Sequence, residues 1–313
     1  MSTNVSSAAL LTLESLGLSH ANIYPAFLFG TLMYLLIMCC NLLVLFTIAV
    51  SSKLHKPMFI LLLNLLIADM VEATAFFPHL VFSIVTQNRL ISHPACVTQA
   101  FVFHVCGTGN LLILSAMSYD RYIAICCPLR YNTVMSPCNL IRIILSVWLV
   151  DFSLIVTLIS LLAQFKLCRL NIVDLNCNNP SLMKLACEDT RVNNYYGLFT
   201  IIFVQGTSLI LTLYTYAQIL CTCLMNKQPV ARLKAIQTCG THLLVFLILQ
   251  INIMVSLIAH RFESVSPSMR RALSVSVLVF PPFLDPIIYG LKITELRQSV
   301  IRVLKRTVCS PMV

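Results

Sequence analysis

Residues 24–51 read YPAFLFGTLMYLLIMCCNLLVLFTIAVS, a stretch without any charged side chain. A bilayer core about 30 Å thick requires roughly 20 mostly apolar residues in an α-helix, so this stretch is long enough to cross a membrane. Six further stretches meet the same criterion. The sequence therefore predicts an all-α membrane protein, a bundle of seven transmembrane helices at about 24–51, 58–86, 95–127, 139–164, 195–225, 235–259 and 270–291.

The composition agrees with a membrane location. Of the 313 residues, 58% are hydrophobic and 10% are charged, whereas a soluble domain carries about 25% charged residues. Residues 1–23 contain no Lys or Arg and lack the pattern of a cleaved signal peptide, so we expect the first span to act as the signal anchor. The chain divides into a tail (1–23), a seven-helix transmembrane domain (24–291) and a terminal segment (292–313).

The distribution of basic residues predicts the orientation. With the N-terminus outside, the cytosolic side holds 13 of the 21 Lys and Arg residues, opposed only by Asp120 and Glu295. The positive-inside rule therefore places the N-terminus outside and the C-terminus inside. The net charge of +10 then suits anionic membrane lipids and an acidic cytosolic partner, without nucleic acid. Asn4 begins a glycosylation signal, Asn-Val-Ser, in the external tail.

Four of the 14 cysteines lie outside the apolar spans, on the external side where disulfides persist. They are Cys96, Cys168, Cys177 and Cys187, and four cysteines allow three pairings. Three of them belong to residues 165–194, a long polar connection that we expect to fold over the external mouth of the bundle as a lid.

The segment after the seventh span has the pattern of an amphipathic helix. Over residues 292–306, apolar side chains fall near one helical face and most basic side chains fall on the others, which predicts a helix lying on the inner leaflet. A solvated, frayed tail is the alternative interpretation. The apolar residues are Leu296, Val300, Val303 and Leu304, and the basic ones are Arg297, Arg302, Lys305 and Arg306.

The third span ends in MSYDRYIAIC at residues 117–126, followed by PLRY at 128–131. This resembles the signature of vertebrate odorant receptors, an extended form of the Asp-Arg-Tyr motif of rhodopsin-like G-protein-coupled receptors. The other motifs of the family follow in the same order along this sequence, and the resemblance covers nearly the whole chain. They are Pro57-Met58-Phe59, Ala68-Asp69, Trp148, Tyr216, Lys234-Ala235, Thr238-Cys239, His242, Pro281-Pro282 and Asp285-Pro286-Ile287-Ile288-Tyr289.

The resemblance implies a receptor rather than an enzyme. It implies that a small odorant binds in the helical bundle and that a heterotrimeric G protein of the stimulatory olfactory type raises cyclic AMP. It also implies disulfides Cys96–Cys177 and Cys168–Cys187, a plasma-membrane location in olfactory cilia, and a trafficking chaperone as a partner. A rhodopsin-like receptor for a non-odorant endogenous ligand is the alternative function.

Some positions depart from the family pattern. Cys40 stands where the family usually has Gly, Ser118 where it has Ala, and Asp285 where it has Asn. Gln250, in the middle of the sixth span, stands where the family usually has an aromatic residue, which bears on how ligand contact reaches that helix.

Ionisable residues at the cytosolic end of the third span are the candidates for G-protein coupling. Arg121 can pair with Asp120 at rest and present its donors to the G protein once the sixth helix moves. The alternative is that Arg121 is an ordinary interfacial anchor. By the resemblance, the coupling and activation residues are Asp120, Arg121, Tyr122, Tyr216 and Tyr289.

A second group of ionisable residues lies at membrane depth, where such residues are costly and usually functional. In the family fold Asn41, Asp69 and Asp285 form a polar network, sometimes with a sodium ion, the only cofactor we expect. Two close carboxylates cannot both stay ionised without a cation or a proton between them. The alternative is a hydrated network that only holds helices together. Glu72 lies one turn above Asp69 and has no assigned role.

His104 and Arg261 are the candidates for ligand recognition. His104 lies 17 residues before Arg121, close to the outer third of its helix, and Arg261 closes the sixth span. Together above an apolar pocket they would suit a carboxylate, and the arrangement resembles fish-like, class I odorant receptors. Alternatively, Arg261 only reaches the lipid headgroups and His104 is a structural histidine. The predicted ligand contacts are Phe103, His104, Thr108, Gln250, Ile253, Met254, Leu257 and Arg261.

Other classes of membrane protein lack support in the sequence. A transporter built from duplicated halves would show an internal repeat, and none is evident. Hydrolases carry motifs such as His-Glu-x-x-His or Gly-x-Ser-x-Gly, which are absent from the sequence. The seventh span has no lysine above Asp285, which excludes a retinal Schiff base.

Overall fold

The computed structural model describes residues 10–225, 229–261 and 265–309, without the side chains of 229–238, 241, 260, 261 and 306–309. The predicted glycosylation site at Asn4 lies outside these residues. Within them the chain forms two short strands, β1 (Leu10–Thr12) and β2 (Leu90–Ser92), and ten α-helices. The helices are α1 (His20–Val50), α2 (Pro57–Thr86), α3 (His93–Cys126), α4 (Tyr131–Val134), α5 (Pro137–Ala163), α6 (Asn179–Met183), α7 (Arg191–Met225), α8 (Pro229–Arg261), α9 (Pro267–Lys292) and α10 (Thr294–Cys309).

Seven helices of the described chain are long and apolar enough to cross a membrane: α1, α2, α3, α5, α7, α8 and α9. This confirms the predicted seven-helix class. The helices begin earlier than predicted because polar residues and prolines initiate them. Ser92 and Ser266 cap α3 and α9 by accepting bonds from the backbone N–H three residues on, and proline at the first helical position is already in the helical conformation.

The core of the bundle lies in its cytosolic half, around α3. Its buried side chains come from all seven membrane-spanning helices and from α10. In contrast, Leu28, Phe29 and Leu32 of α1 are each more than 60% exposed, as expected for side chains that contact lipid. The buried centre includes Leu62, Leu65, Leu114, Met117, Phe246 and Tyr289.

Helix α9 contains three prolines, Pro281, Pro282 and Pro286. Because Pro286 has no N–H, the carbonyl of Pro282 loses its helical partner. The side chain of Asn41 on α1 fills this place, with its Nδ2 atom donating to the Pro282 carbonyl at 2.8 Å and to the Ile37 carbonyl at 2.9 Å. The family motif residue Asn41 therefore joins α1 to the irregular part of α9.

The predicted lid is present and has more structure than the sequence suggested. Strand β1 pairs antiparallel with β2, and Thr12 bridges to Asn171 in the lid. Two disulfides, Cys96–Cys177 and Cys168–Cys187, fasten the lid to α3 and to itself, in the pairing that the resemblance implied. A small apolar cluster that includes Leu11, Ile91, Ile172 and Leu182 fills the space between the N-terminal segment and the lid.

Helix α10 turns away from α9 and packs through one apolar face. Leu296 is fully buried against the core, whereas Ile301 and Leu304 are more than 40% exposed. Lys56 pairs with Glu295 at 2.6 Å, although both side chains are about half exposed, so this pair contributes little stability. The buried and exposed apolar residues together agree with a helix at the membrane surface.

Candidate ligand cavity and signalling residues

A cavity lies in the outer half of the bundle beneath the lid. Its empty space is about 1140 Å³ when the open solvent at its mouth is counted. Most of its wall is apolar. The lining residues on the helices include Glu72, Phe103, His104, Gly107, Thr108, Leu111, Ile155, Leu158, Gly197, Thr200, Ile201, Val204, Gln205, Ile253, Ser256, Leu257, Ser274, Val277 and Leu278.

The predicted ligand contacts fall in three groups. Those that line the cavity are Phe103, His104, Thr108, Ile253 and Leu257. Gln250 is buried and its Nε2 donates to the Gln205 carbonyl at 3.4 Å, but it is not part of the lining. Met254 is 39% exposed on the outside of the bundle, because it follows Ile253 by one residue and a helix turns about 100° per residue. Met254 is therefore not part of the cavity wall in this structure. The side chain of Arg261 lies outside the described residues.

The lid supplies polar cavity contacts that sequence reasoning missed. Asn176, Asn178, Asn179 and Pro180 all line the cavity, and Ser274 on α9 donates to the side-chain oxygen of Asn176 at 3.1 Å. The signal was present in the sequence: these residues flank Cys177, and a disulfide to the outer end of α3 necessarily holds its neighbours over the cavity.

Thr108 connects the cavity to a buried acid that was also missed. Its hydroxyl lies 2.6 Å from the His104 carbonyl and also forms a short hydrogen bond to the carboxylate of Asp151 on α5. Asp151 is completely buried. An ionisable residue in the middle of the fourth span is a strong sequence signal, so Asp151 could have been found. It positions Thr108, which is the residue that faces the cavity.

A polar network lies below the cavity. Asn110 donates to Asp69 at 2.9 Å, and Asp285 and Glu72 are close enough to Asp69 to interact with it electrostatically. One side-chain oxygen on each of Asn41, Asp69 and Asp285 is buried without a hydrogen-bond partner. Asp69 and Asp285 are thus brought together, with Asn110 and Glu72 as further members, whereas Asn41 bonds to the Pro282 carbonyl, three residues before Asp285 on α9.

At the cytosolic end of α3, Arg121 forms an ion pair with Asp120. The Nε atom of Arg121 donates to the carboxylate at 2.9 Å, with a second, short contact from Nη2. The Tyr131 hydroxyl donates to the other carboxylate oxygen at 2.9 Å. Burial, and then the neighbouring Asp120, raise the pKa of Tyr131, which keeps this hydroxyl protonated as a donor. Asp120 itself is fully buried.

Aromatic rings link the three helices next to this pair. The Tyr216 hydroxyl on α7 donates to the Cys239 carbonyl on α8 at 2.9 Å and lies 2.7 Å from Nδ1 of His242. The His242 ring stacks on Tyr216 and approaches the fully buried Tyr289 of α9 at 6.5 Å between ring centroids. Tyr122 lies outside this row and packs against Tyr119 and Tyr214. The row ties α8 to α7.

Among solved structures, squid rhodopsin matches with a TM-score of 0.76 at 14% identity, covering 96% of this chain and 93% of that one. The bundle therefore has the seven-helix fold of the rhodopsin-like receptors. Residues 30–307 match the family model described as olfactory receptor, and the chain belongs to the olfactory receptor family.

Curated relatives agree over nearly the full length. Olfactory receptor 6N1 of Homo sapiens is 34% identical over 281 residues, 90% of each chain. Olfactory receptor 52A5 of Homo sapiens is 36% identical over 274 residues, 87% of each chain. Olfactory receptor 1M1 of Mus musculus is 33% identical over 299 residues, 94% of each chain. The protein is accordingly a multi-pass membrane receptor that couples a small-molecule ligand to a G protein, and not an enzyme.

Proposed function

We propose that this receptor binds a small odorant carrying a carboxylate and activates a G protein of the stimulatory olfactory type, which raises cyclic AMP. The observation that carries the proposal is the roofed cavity, whose wall is mostly apolar with His104 among its few polar groups. Cavities of this kind bury most of a small ligand and orient it through a small number of polar contacts.

The acid-binding end of the cavity is assigned to His104 and Arg261. Leu257 lines the cavity, and Arg261 follows it by four residues, one turn farther out on the same face of α8. An arginine guanidinium matches a carboxylate with two parallel hydrogen bonds. His104 donates one ring N–H to the Ala100 backbone one turn away, and its second ring nitrogen becomes a donor when the imidazole is protonated, which an adjacent carboxylate favours.

Activation requires α8 to leave the contacts that hold it in place. A ligand that fits better when α8 has moved shifts the population toward that state. The movement separates Cys239 and His242 from Tyr216, and it frees the surface around Arg121. The guanidinium can then leave Asp120 and donate to the G protein.

We also propose that a sodium ion or a proton occupies the polar network. In the described chain, no three His, Cys, Asp or Glu residues are grouped to hold a metal ion, so amide oxygens would have to contribute. The unpartnered oxygens of Asn41, Asp69 and Asp285 fit this requirement, and charge between the carboxylates favours a cation there. As the setting for this function we propose the plasma membrane of olfactory cilia, with a trafficking chaperone and contacts to membrane lipids.

The experiment compares short carboxylic acids with esters of the same carbon skeleton, read out as cyclic AMP in cells that express the receptor. Arg261→Ala and His104→Ala are each expected to raise the half-maximal acid concentration by about 10- to 100-fold, since a hydrogen bond to a charged group contributes roughly 1.5–3 kcal/mol. Arg191→Ala is the matched control, because that arginine is exposed on the external side. An unchanged acid response in Arg261→Ala cells contradicts the assignment.

A further inference from the structure

Glu72 is the acidic side chain in the cavity wall whose role neither the sequence nor the proposed acid site explains. It lies on α2, is 2% exposed and lines the cavity. Among the described side chains, no Lys, Arg or His forms an ion pair with it. Burying a carboxyl group without a partner is costly. A ligand group that forms a hydrogen bond with Glu72 would remove this cost, and the ligand would bind more tightly.

The packing of two aromatic rings gives the depth of Glu72. Phe76 on α2 contacts Phe103 on α3 with 6.3 Å between ring centroids, so these two residues lie at the same level. Glu72 precedes Phe76 by one turn and is therefore about 6 Å closer to the cytosol. His104 follows Phe103 directly. The cavity thus has one polar group near its upper level and an acidic group about one turn deeper.

The surroundings of Glu72 decide what it can bind. Asp69 and Asp285 lie close enough to interact with it electrostatically, so the three carboxyl groups cannot all be ionised without a cation or protons between them. A carboxyl oxygen accepts hydrogen bonds, an ammonium group favours the ionised form of Glu72, and a further acid is disfavoured at this place. The inner end of the cavity is therefore suited to a hydrogen-bond donor and unsuited to the acid group of a ligand.

We propose that Glu72 forms an inner subsite that binds a hydrogen-bond donor of the ligand, either a hydroxyl or an ammonium group. The inference rests on the proposed function, since it takes the acid end of the ligand to lie near His104. The preferred ligands are then short acids with a donor at the far end, that is, hydroxy acids or amino acids. Plain acids of the same length bind more weakly.

The position of Glu72 also gives the donor an effect on signalling. Glu72 both lines the cavity and interacts with Asp69 and Asp285, whereas His104 belongs only to the cavity wall. A donor that binds Glu72 changes the electrostatic interaction of Glu72 with the two network aspartates. Ligand binding therefore reaches the polar network through one side chain.

The test uses four ligands of equal length: a short acid whose far end is methyl, methoxy, hydroxyl or ammonium. Binding is measured as the thermal stabilisation of purified full-length receptor, and signalling as cyclic AMP. Wild-type receptor is expected to prefer the hydroxyl and ammonium ligands over the methyl and methoxy ligands by about 10- to 100-fold. Equal binding of all four ligands overturns the proposal without any variant.

The variant Glu72→Gln distinguishes the hydroxyl ligands from the ammonium ligands. It keeps an oxygen that accepts from a hydroxyl but removes the charge, so the ammonium preference is lost and part of the hydroxyl preference remains. Glu188→Gln, the same change at an exposed lid residue, is expected to keep the wild-type order of ligand preference. An unchanged ligand order in Glu72→Gln receptor, folded as judged by its stabilisation by the plain acid, overturns the proposal. If no acid binds but neutral alcohols and amines do so through Glu72, the acid site of the proposed function fails while the donor subsite stands.

Discussion

At the scale of single residues, the bundle depends on a few close contacts between polar or small side chains. Asn41 replaces the helical bond that Pro286 cannot make, and Gly109 lets α3 approach α5. A Cβ atom at Gly109 would lie 2.7 Å from the Trp148 ring and 3.4 Å from a carboxylate oxygen of Asp151. Trp148 is fixed in turn, because its indole N–H donates to Asn64 at 3.2 Å. Residues of this kind are sensitive to the smallest change in volume.

Gly109→Ala is expected to destabilise the receptor by about 1–3 kcal/mol, because the added methyl group overpacks the contact with Trp148. The measurement is the melting temperature of purified receptor together with its amount at the cell surface. Gly206→Ala is the matched control, since a Cβ at Gly206 on α7 meets nothing within 4 Å. In that helix alanine is expected to be neutral or slightly stabilising. Equal effects of the two substitutions would contradict the packing argument.

At the scale of elements, the sequence predicted helices more successfully than contacts. Each span had to satisfy its own backbone hydrogen bonds within a membrane, so length and hydropathy determined the helices. They do not determine which way a side chain points when a helix is apolar on all sides. For this reason the sequence did not separate Ile253, which lines the cavity, from its neighbour Met254, which does not. Strand β1 was missed because its partner residues are far apart in the chain.

The Tyr216 hydroxyl belongs to the row of aromatic rings between α7, α8 and α9, and its removal is expected to change basal signalling. Tyr216→Phe removes the bond to the Cys239 carbonyl and the contact to His242 while leaving the stacked ring. With α8 held less firmly, basal cyclic AMP is expected to rise about 2- to 5-fold, since a hydrogen bond contributes roughly 0.5–1.5 kcal/mol. Tyr195→Phe, on the exposed face of the same helix, serves as the control. Basal activity at or below the wild-type level in Tyr216→Phe cells would contradict this role.

The two disulfides of the lid are expected to differ in importance. Cys96–Cys177 closes a sequence separation of 81 residues and pins the cavity roof to α3, whereas Cys168–Cys187 closes 19 residues within the lid. Loop-closure entropy and the position of the roof both make the first bridge the larger contributor. Replacing Cys96 and Cys177 with Ser should abolish ligand response and surface expression, and replacing Cys168 and Cys187 should weaken both only in part. Surface labelling and ligand titration of the two double variants compare them, and the reverse order would be inconsistent with this account.

At the scale of the whole molecule, the functional groups are arranged as layers along the bundle axis. The lid and cavity lie outermost, Glu72 and the Asp69 network follow, and the Tyr216 row and the Arg121–Asp120 pair lie at the cytosolic end. The family motifs indicated the two inner layers, because their residue types and spacing are distinctive. The cavity wall is built from ordinary residues of six membrane-spanning helices and the lid, so only the fold brings them together.

We propose that ligand binding in the roofed cavity leads to activation of an olfactory-type G protein. The most direct test is the cyclic AMP response to short acids of cells that express the receptor with and without that G protein α-subunit, at equal surface expression. The account predicts a concentration-dependent rise only when the α-subunit is present, and its loss on Arg121→Ala. A response of equal size without the α-subunit, or one that survives Arg121→Ala, would contradict the account.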